Sequence, residues 1–222
     1  MIYLDKGLIK IDWNDIDNLT QSEVTYFLSL EGKSIAAIGK IRGLNREEVQ
    51  KQLIEGKIKY RFLANSKNEK DLFGAICNAG KTDKLSFLSS ISNENKEKLI
   101  KYIKNEFANM ISKNKEYAIW IVGELKAQEV IEIPIKSIVH KHVNIRRMAV
   151  SALGKIEDKA SETALIRALD DENLQVVLYA IKALKKLKSE KAIAKIKEIK
   201  EENDKDYIIR AAKEYLEEIE EN

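Results

Sequence analysis

The sequence predicts an all-α protein: a three-helix helix-turn-helix module followed by an α-solenoid of stacked helical hairpins. One proline and nine glycines among 222 residues leave few breaks for strands and tight hairpins. Capping signals punctuate residues 20–50 at helix-length intervals. From residue 114 onward the apolar pattern repeats at a fixed spacing, which is the signature of an array of similar hairpins. With 44% hydrophobic residues the chain has ample material for a core.

The first element is an exception to the helical rule. In "GLIKIDW" the residues Ile9, Ile11 and Trp13 alternate onto one side, so a short strand is expected that pairs with another chain or covers the core. The first helix begins after Thr20, because "TQSE" is a capping box in which Thr20 and Glu23 exchange hydrogen bonds with each other's amides. Val24, Phe27 and Leu28 form its apolar face, and Gly32 ends it. Ser34 caps a second helix carrying Ile35, Ile38 and Ile41; Gly43 supplies the turn; Asn45 caps a third helix with Val49 and Leu53 on its buried side. Three short helices joined this tightly form a helix-turn-helix arrangement. The segment from Gly56 to Lys70 reads as the passage into the second domain, giving 1–63 for the N-terminal segment with its module and 64–222 for the solenoid.

The repeats emerge when "KEYAIWIVGELKAQE", "IRRMAVSALGKIEDK" and "VVLYAIKALKKLKSE" are superposed at a spacing of 31. Ala118, Ala149 and Ala180 coincide, as do Val122, Leu153 and Leu184, then Leu125, Ile156 and Leu187. A fourth copy with one extra residue puts Ala212, Leu216 and Ile219 in the same slots. The alanine lets neighbouring helices approach, and the residues four and seven further on extend one buried stripe. A second helix follows each polar turn; in one unit Ala164, Leu165, Ala168 and Leu169 line it. Degenerate units precede the array at "KTDKLSFLSSISNENKEKLIKYIKNEF" and "NEKDLFGAICNAG".

The unit "VNIRRMAVSALGKIEDKASETALIRALDDEN" resembles the HEAT repeat in its short, phycobilisome-lyase form, matched by Ile145, Arg146, Ala149, Leu153 and Gly154. Later units depart from it, with Val177 in the arginine slot and Lys185 in the glycine slot. The resemblance implies a scaffold for proteins and sometimes nucleic acids. The stretch "LEGKSIAAIGKIRGLNREEVQKQLIEGKI" resembles the helix-turn-helix domain appended to RecQ-family helicases, through Gly32, Ser34, Ile35, Ile38, Arg42, Gly43, Leu44 and Val49. Gly39 replaces the usual alanine there and Glu48 the usual threonine.

Formal net charge is only +3, so the whole molecule does not announce a nucleic-acid protein, but its distribution is uneven. Lys33 to Arg61 holds eight basic residues against Glu47, Glu48 and Glu55, and Ile133 to Ile156 holds five with no acid, whereas the last 25 residues hold ten acids. A DNA-reading module would offer Asn45, Arg46, Gln50 and Lys51 from its third helix, with Lys33, Lys40, Lys57 and Lys59 meeting phosphates. In the basic repeat, Arg146 is expected to pair with Asp170 or Asp171, leaving Lys141 and Arg147 for an acidic partner or a phosphate.

These readings point to a non-enzymatic adaptor or regulator: double-stranded DNA on the module, a protein partner on the solenoid. The alternative is a pure protein-binding scaffold whose first helices cap the solenoid. An alkylpurine DNA glycosylase built from such repeats is a third possibility; it would need an acid beside Trp120, where Glu116 and Glu124 stand without a selecting motif. No phosphate-binding glycine loop or nucleophile elbow is present, so no cofactor or small-molecule substrate is expected. His140 and His142 lack companion ligands for a metal, and Cys77 reads as a buried structural thiol. With no run of about 18 apolar residues and no signal-peptide pattern, the expected location is cytoplasmic.

Overall fold

A computed structural model describes residues 3–220, and the chain forms two compact units, Met1–Tyr102 and Ile103–Asn222. The first opens with an antiparallel hairpin, β1 (Tyr3–Lys6) and β2 (Ile9–Asp12), in the register Tyr3↔Asp12 to Lys6↔Ile9. The alternating strand is therefore real, but its partner is the segment just before it. Gly7, at φ +63°, makes the turn possible: an added Cβ would lie 2.4 Å from the Leu63 carbonyl oxygen. Leu8 N–H also donates to that oxygen at 2.9 Å, so the hairpin closes over a helix terminus whose carbonyls lack helical partners. Trp13 leaves the strand for a 3-10 turn, Trp13–Asn18, and donates its indole N–H to Glu31.

The helix-turn-helix module follows as α1 (Gln21–Leu30), α2 (Ile35–Arg42) and α3 (Arg46–Ala64). The expected capping box of Thr20 with Glu23 forms, Ser34 caps α2 as expected, and the Asn45 cap of α3 is completed into a second box by Glu48. Gly43, at φ +65°, turns the chain between α2 and α3. Ile38 and Val49 are fully buried, whereas Ile41 is 58% exposed, so α2 buries a narrower stripe than its three isoleucines suggest.

α3 also runs through the first part of the Gly56–Lys70 passage and ends at Ala64. Gly56 sits inside it because a Cβ there would lie 2.3 Å from that of Tyr26; the glycine is a packing notch for α1, not a terminator. The extended helix lets Tyr60 reach Phe27, ring edge to face at 5.0 Å, and lets Phe62 and Leu63 enter the core. α4 (Glu69–Asn78), α5 (Lys81–Ser90) and α6 (Asn93–Glu106) complete the run; α3 packs against α4 and α5, and Cys77 is buried.

The second unit is built from hairpins. The helices that begin each repeat are α7 (Ser112–Glu124), α9 (Val143–Ile156), α11 (Leu174–Lys186) and α13 (Asp206–Glu220), each packed against the next. The second helices are α8 (Glu132–Ser137), α10 (Glu162–Arg167) and α12 (Ile193–Glu202), which lie against α9, α11 and α13. The alanine slot is 0% exposed in all four repeats, at Ala118, Ala149, Ala180 and Ala212. Val122, Leu153 and Leu184, four residues on, are equally buried. Added Cβ atoms on Gly123 and Gly154 would meet the Cβ atoms of Ala152 and Ala183 at 2.9 Å, so adjacent first helices touch almost backbone to backbone. The last interface differs: Lys185 takes the glycine slot, and the buried Tyr215 anchors α13 by donating its hydroxyl to the Ser189 carbonyl.

Candidate functional site

The basic stretch of the module resolves into tied and untied cations. Arg42 lies against α1, donating to Thr25 Oγ1 at 2.8 Å and to the Gln21 carbonyl at 3.0 Å. Lys59 pairs with Glu23 at 2.7 Å, and Arg61 with Asp83 at 2.6 Å. Lys59 therefore serves the α1–α3 contact and is removed from the phosphate-contacting set. The other five, Lys33, Lys40, Arg46, Lys51 and Lys57, are exposed and make no ion pair among the described residues.

Placement on α3 orders these groups. Arg46, Gln50 and Lys57 share a stripe at i, i+4 and i+11, while Lys51 projects from the next face round. Leu53 is close to the Arg46 stripe and only half-buried; Arg46 stays exposed because it occupies the first turn. Asn45 is less available than the sequence suggests, since its side-chain oxygen accepts from Glu48 N–H at 2.9 Å. Only its NH2 group remains for a ligand. Glu48 is likewise turned back onto the Asn45 amide, leaving Glu47 as the outward acid of that turn. Beside the stripe lies a depression of about 580 Å3, lined by Ser34, Ile35, Ala36, Gly39, Lys40, Leu44 and Arg46, with a largely carbon floor and two cations at its edge.

In the second unit, Arg146 holds the junction between repeats. Its Nε and Nη2 reach Asp171 at 2.7 and 2.9 Å, and Nη2 also reaches Glu172 at 3.1 Å. Nη1 donates to the His140 carbonyl at 3.1 Å, so one guanidinium ties the loop before α9 to the loop before α11. Asp171 is the partner among the two expected; Asp170 instead meets Lys195 at 2.9 Å. Burial alone would raise the Asp171 pKa, but the Arg146 hydrogen bonds and the Asn173 amide outweigh it and hold the carboxyl below its usual range.

Around this pair opens a cleft of about 620 Å3 with Lys141 and Arg167 on its walls. Arg147 is half-buried and is not part of that wall, so the two expected anion-binding residues do not converge. Arg167 went unnoticed in sequence; its position just ahead of Asp170 and Asp171 on the second helix was the available signal. The rings of His140 and His142 lie 5.3 Å apart, tilted by 34°, and His140 titrates below its ordinary value through burial, then through His142, Lys115, Lys141 and Arg146. No group of three or more metal-ligating side chains occurs among the described residues. Trp120 and Glu116 are half-buried, and Glu124 is paired with Lys155.

Helical hairpins stacked through repeated alanine and glycine contacts define an α-solenoid of the protein-scaffold class. The family model for HEAT repeats matches residues 97–180 and 140–217, together more than half of the sequence, and the chain belongs to the HEAT-repeat family. No curated protein matches it. Repeats of this family serve chiefly as scaffolds for protein binding. Among the described residues, no helix is long and apolar enough to cross a membrane.

Proposed function

We propose that the chain is a non-enzymatic cytoplasmic adaptor whose helix-turn-helix module, residues 1–63, contacts double-stranded DNA while the HEAT repeats hold a protein partner. One observation carries the DNA reading: of eight basic residues between Lys33 and Arg61, Lys59 and Arg61 are paired with carboxylates and Arg42 is hydrogen-bonded to α1, whereas the other five, on α2, α3 and the turn before α2, stand exposed with no ion pair among the described residues. Phosphates would meet Lys33, Lys40, Lys51 and Lys57, and Arg46 with Gln50 would address base edges in the major groove. The resemblance of Gly32 to Val49 to the module appended to RecQ-family helicases supports the same reading. In the repeats, Lys141 and Arg147 are the cations offered to an acidic partner or a phosphate.

A pure protein-binding scaffold is the second reading. The carbon-lined depression beside Arg46 and the exposed Ile41 favour it, since a duplex gives such a surface little to bury. Fluorescence anisotropy with mixed-sequence duplex DNA separates the two, comparing the wild type with an Arg46→Ala, Lys51→Ala double variant that spares Ile38 and Val49. Salt-sensitive binding weakened by the variant supports the adaptor. Absence of binding at low salt leaves the scaffold.

A further inference from the structure

Between α9 and α11 runs a groove of about 180 Å3, lined by Val150, Ser151, Gly154, Lys155, Tyr179, Lys182, Ala183 and Lys186. Its origin is visible in the 31-residue register. Ser151 occupies the slot that Trp120 fills one repeat earlier and Lys182 one repeat later, so a small side chain stands where its neighbours are long. Next to it, Gly154 and Ala183 bring the helices to their closest approach, and the Tyr179 ring bounds the groove on the α11 side.

Charge is as uneven as shape. Three ammonium groups line the groove and no carboxylate does. Two of the three are balanced from outside it, Lys155 by Glu124 and Lys186 by Glu157. Lys182 is exposed and makes no ion pair among the described residues.

We infer that this groove takes an acidic polypeptide segment of a partner protein, inserting one aliphatic or aromatic side chain between Ser151 and Tyr179 and laying a flanking carboxylate against Lys182. The inference rests on the scaffold reading and names the partner's chemistry. An apolar cavity of roughly this size accommodates a single benzene-sized group, so the depth selects one anchor side chain. A phosphodiester backbone would satisfy the lysines but has no apolar group for the floor of Val150, Gly154 and Ala183. The combination of carbon floor and cationic rim fits alternating apolar and acidic residues.

The test uses short fluorescein-labelled peptides of aspartate and glutamate with one central leucine, phenylalanine or tryptophan. All-acid peptides and a single-stranded oligonucleotide of matched charge serve as comparisons. Anisotropy is read on the full chain, on Lys182→Glu and on Ser151→Trp, each checked by circular dichroism for intact helix. Support is binding of an anchored peptide at least about tenfold tighter than the all-acid peptide, lost by about tenfold or more in both variants. Equal binding of anchored and unanchored peptides, preference for the oligonucleotide, or indifference to Ser151→Trp overturns the groove assignment. Cross-linking in cell extract then separates the two levels: a partner captured equally by wild type and Ser151→Trp sinks the groove and keeps the scaffold, whereas no captured partner at all sinks both.

Discussion

The Arg146 guanidinium and the Asp171 carboxylate lie side by side, joined by two hydrogen bonds of 2.7 and 2.9 Å, with both side chains at or below 10% exposure. At this depth breaking the pair costs more than the pair itself contributes, because the surviving charge stays buried without its partner. Asp171→Asn and Arg146→Ala should each destabilise the second unit by about 3 kcal/mol. Replacing both residues with leucine or methionine should recover much of that loss. Guanidinium unfolding followed by Trp120 fluorescence, in a Trp13→Phe background, reads this unit alone; a single-variant loss below about 0.5 kcal/mol would place the pair with ordinary surface bridges.

Glu23 makes a different kind of link. It is 7% exposed and accepts from Thr20 N–H, Lys59 and the Tyr60 hydroxyl. Burial would raise its pKa, but the Lys59, Tyr60 and Thr20 hydrogen bonds prevail and bring it from 4.5 to about 2. Because the folded-state value is depressed, the stabilisation is complete above pH 4.5 and disappears as pH falls toward about 2. Glu23→Gln should cost about 2 kcal/mol at neutral pH, the scale of hydrogen bonds to a charged group. Its deficit relative to wild type should shrink across that acid window. A deficit independent of pH would assign the loss to packing.

Glycine tests the repeat. At Gly154 a new Cβ meets Ala183 at 2.9 Å, so Gly154→Val should destabilise by about 2 kcal/mol through overpacking. Lys185 occupies the same slot one repeat later, where it reaches Glu218 at 3.3 Å. Restoring the family glycine there should give no gain and should cost about 1 kcal/mol in helix propensity. Urea midpoints of the two variants check the contrast; a stabilising Lys185→Gly would mean that the α11–α13 contact wants the close approach after all.

Gly56 marks where the sequence was harder to read. Strong local signals carried the caps at Thr20, Ser34 and Asn45, and the 31-residue register carried the solenoid, because both depend on neighbours close in the chain or on a repeated slot. Gly56 is defined by Tyr26, and the β1–β2 turn by the Leu63 carbonyl; these are tertiary partners that no local pattern reveals. For the same reason the availability of Lys59, Asn45 and Arg147 was not legible, since a charged residue's freedom depends on what folds beside it. Gly56→Ala should therefore destabilise the first unit despite alanine's helix advantage of about 1 kcal/mol. An unchanged melting temperature would show that α1 can move aside.

The salt dependence of DNA binding can count the cations that matter. Each phosphate neutralised contributes about −0.9 to the slope of log K against log salt, so five contacts from Lys33, Lys40, Arg46, Lys51 and Lys57 set a limit of roughly −4.5. Between 50 and 200 mM salt that limit corresponds to a loss of several hundredfold. Arg46→Ala with Lys51→Ala should make the slope shallower by up to about 2 units, the full amount if both residues meet phosphate. If Arg46 reads a base edge instead, its removal should relax sequence preference and leave about 1 unit of change to Lys51. Lys59→Ala should leave the slope alone, since its charge is already matched by Glu23 at 2.7 Å. A slope that responds to Lys141→Ala and Arg147→Ala but not to the α3 variants would move the nucleic-acid surface to the HEAT repeats, and the helix-turn-helix would then be a module for protein contact.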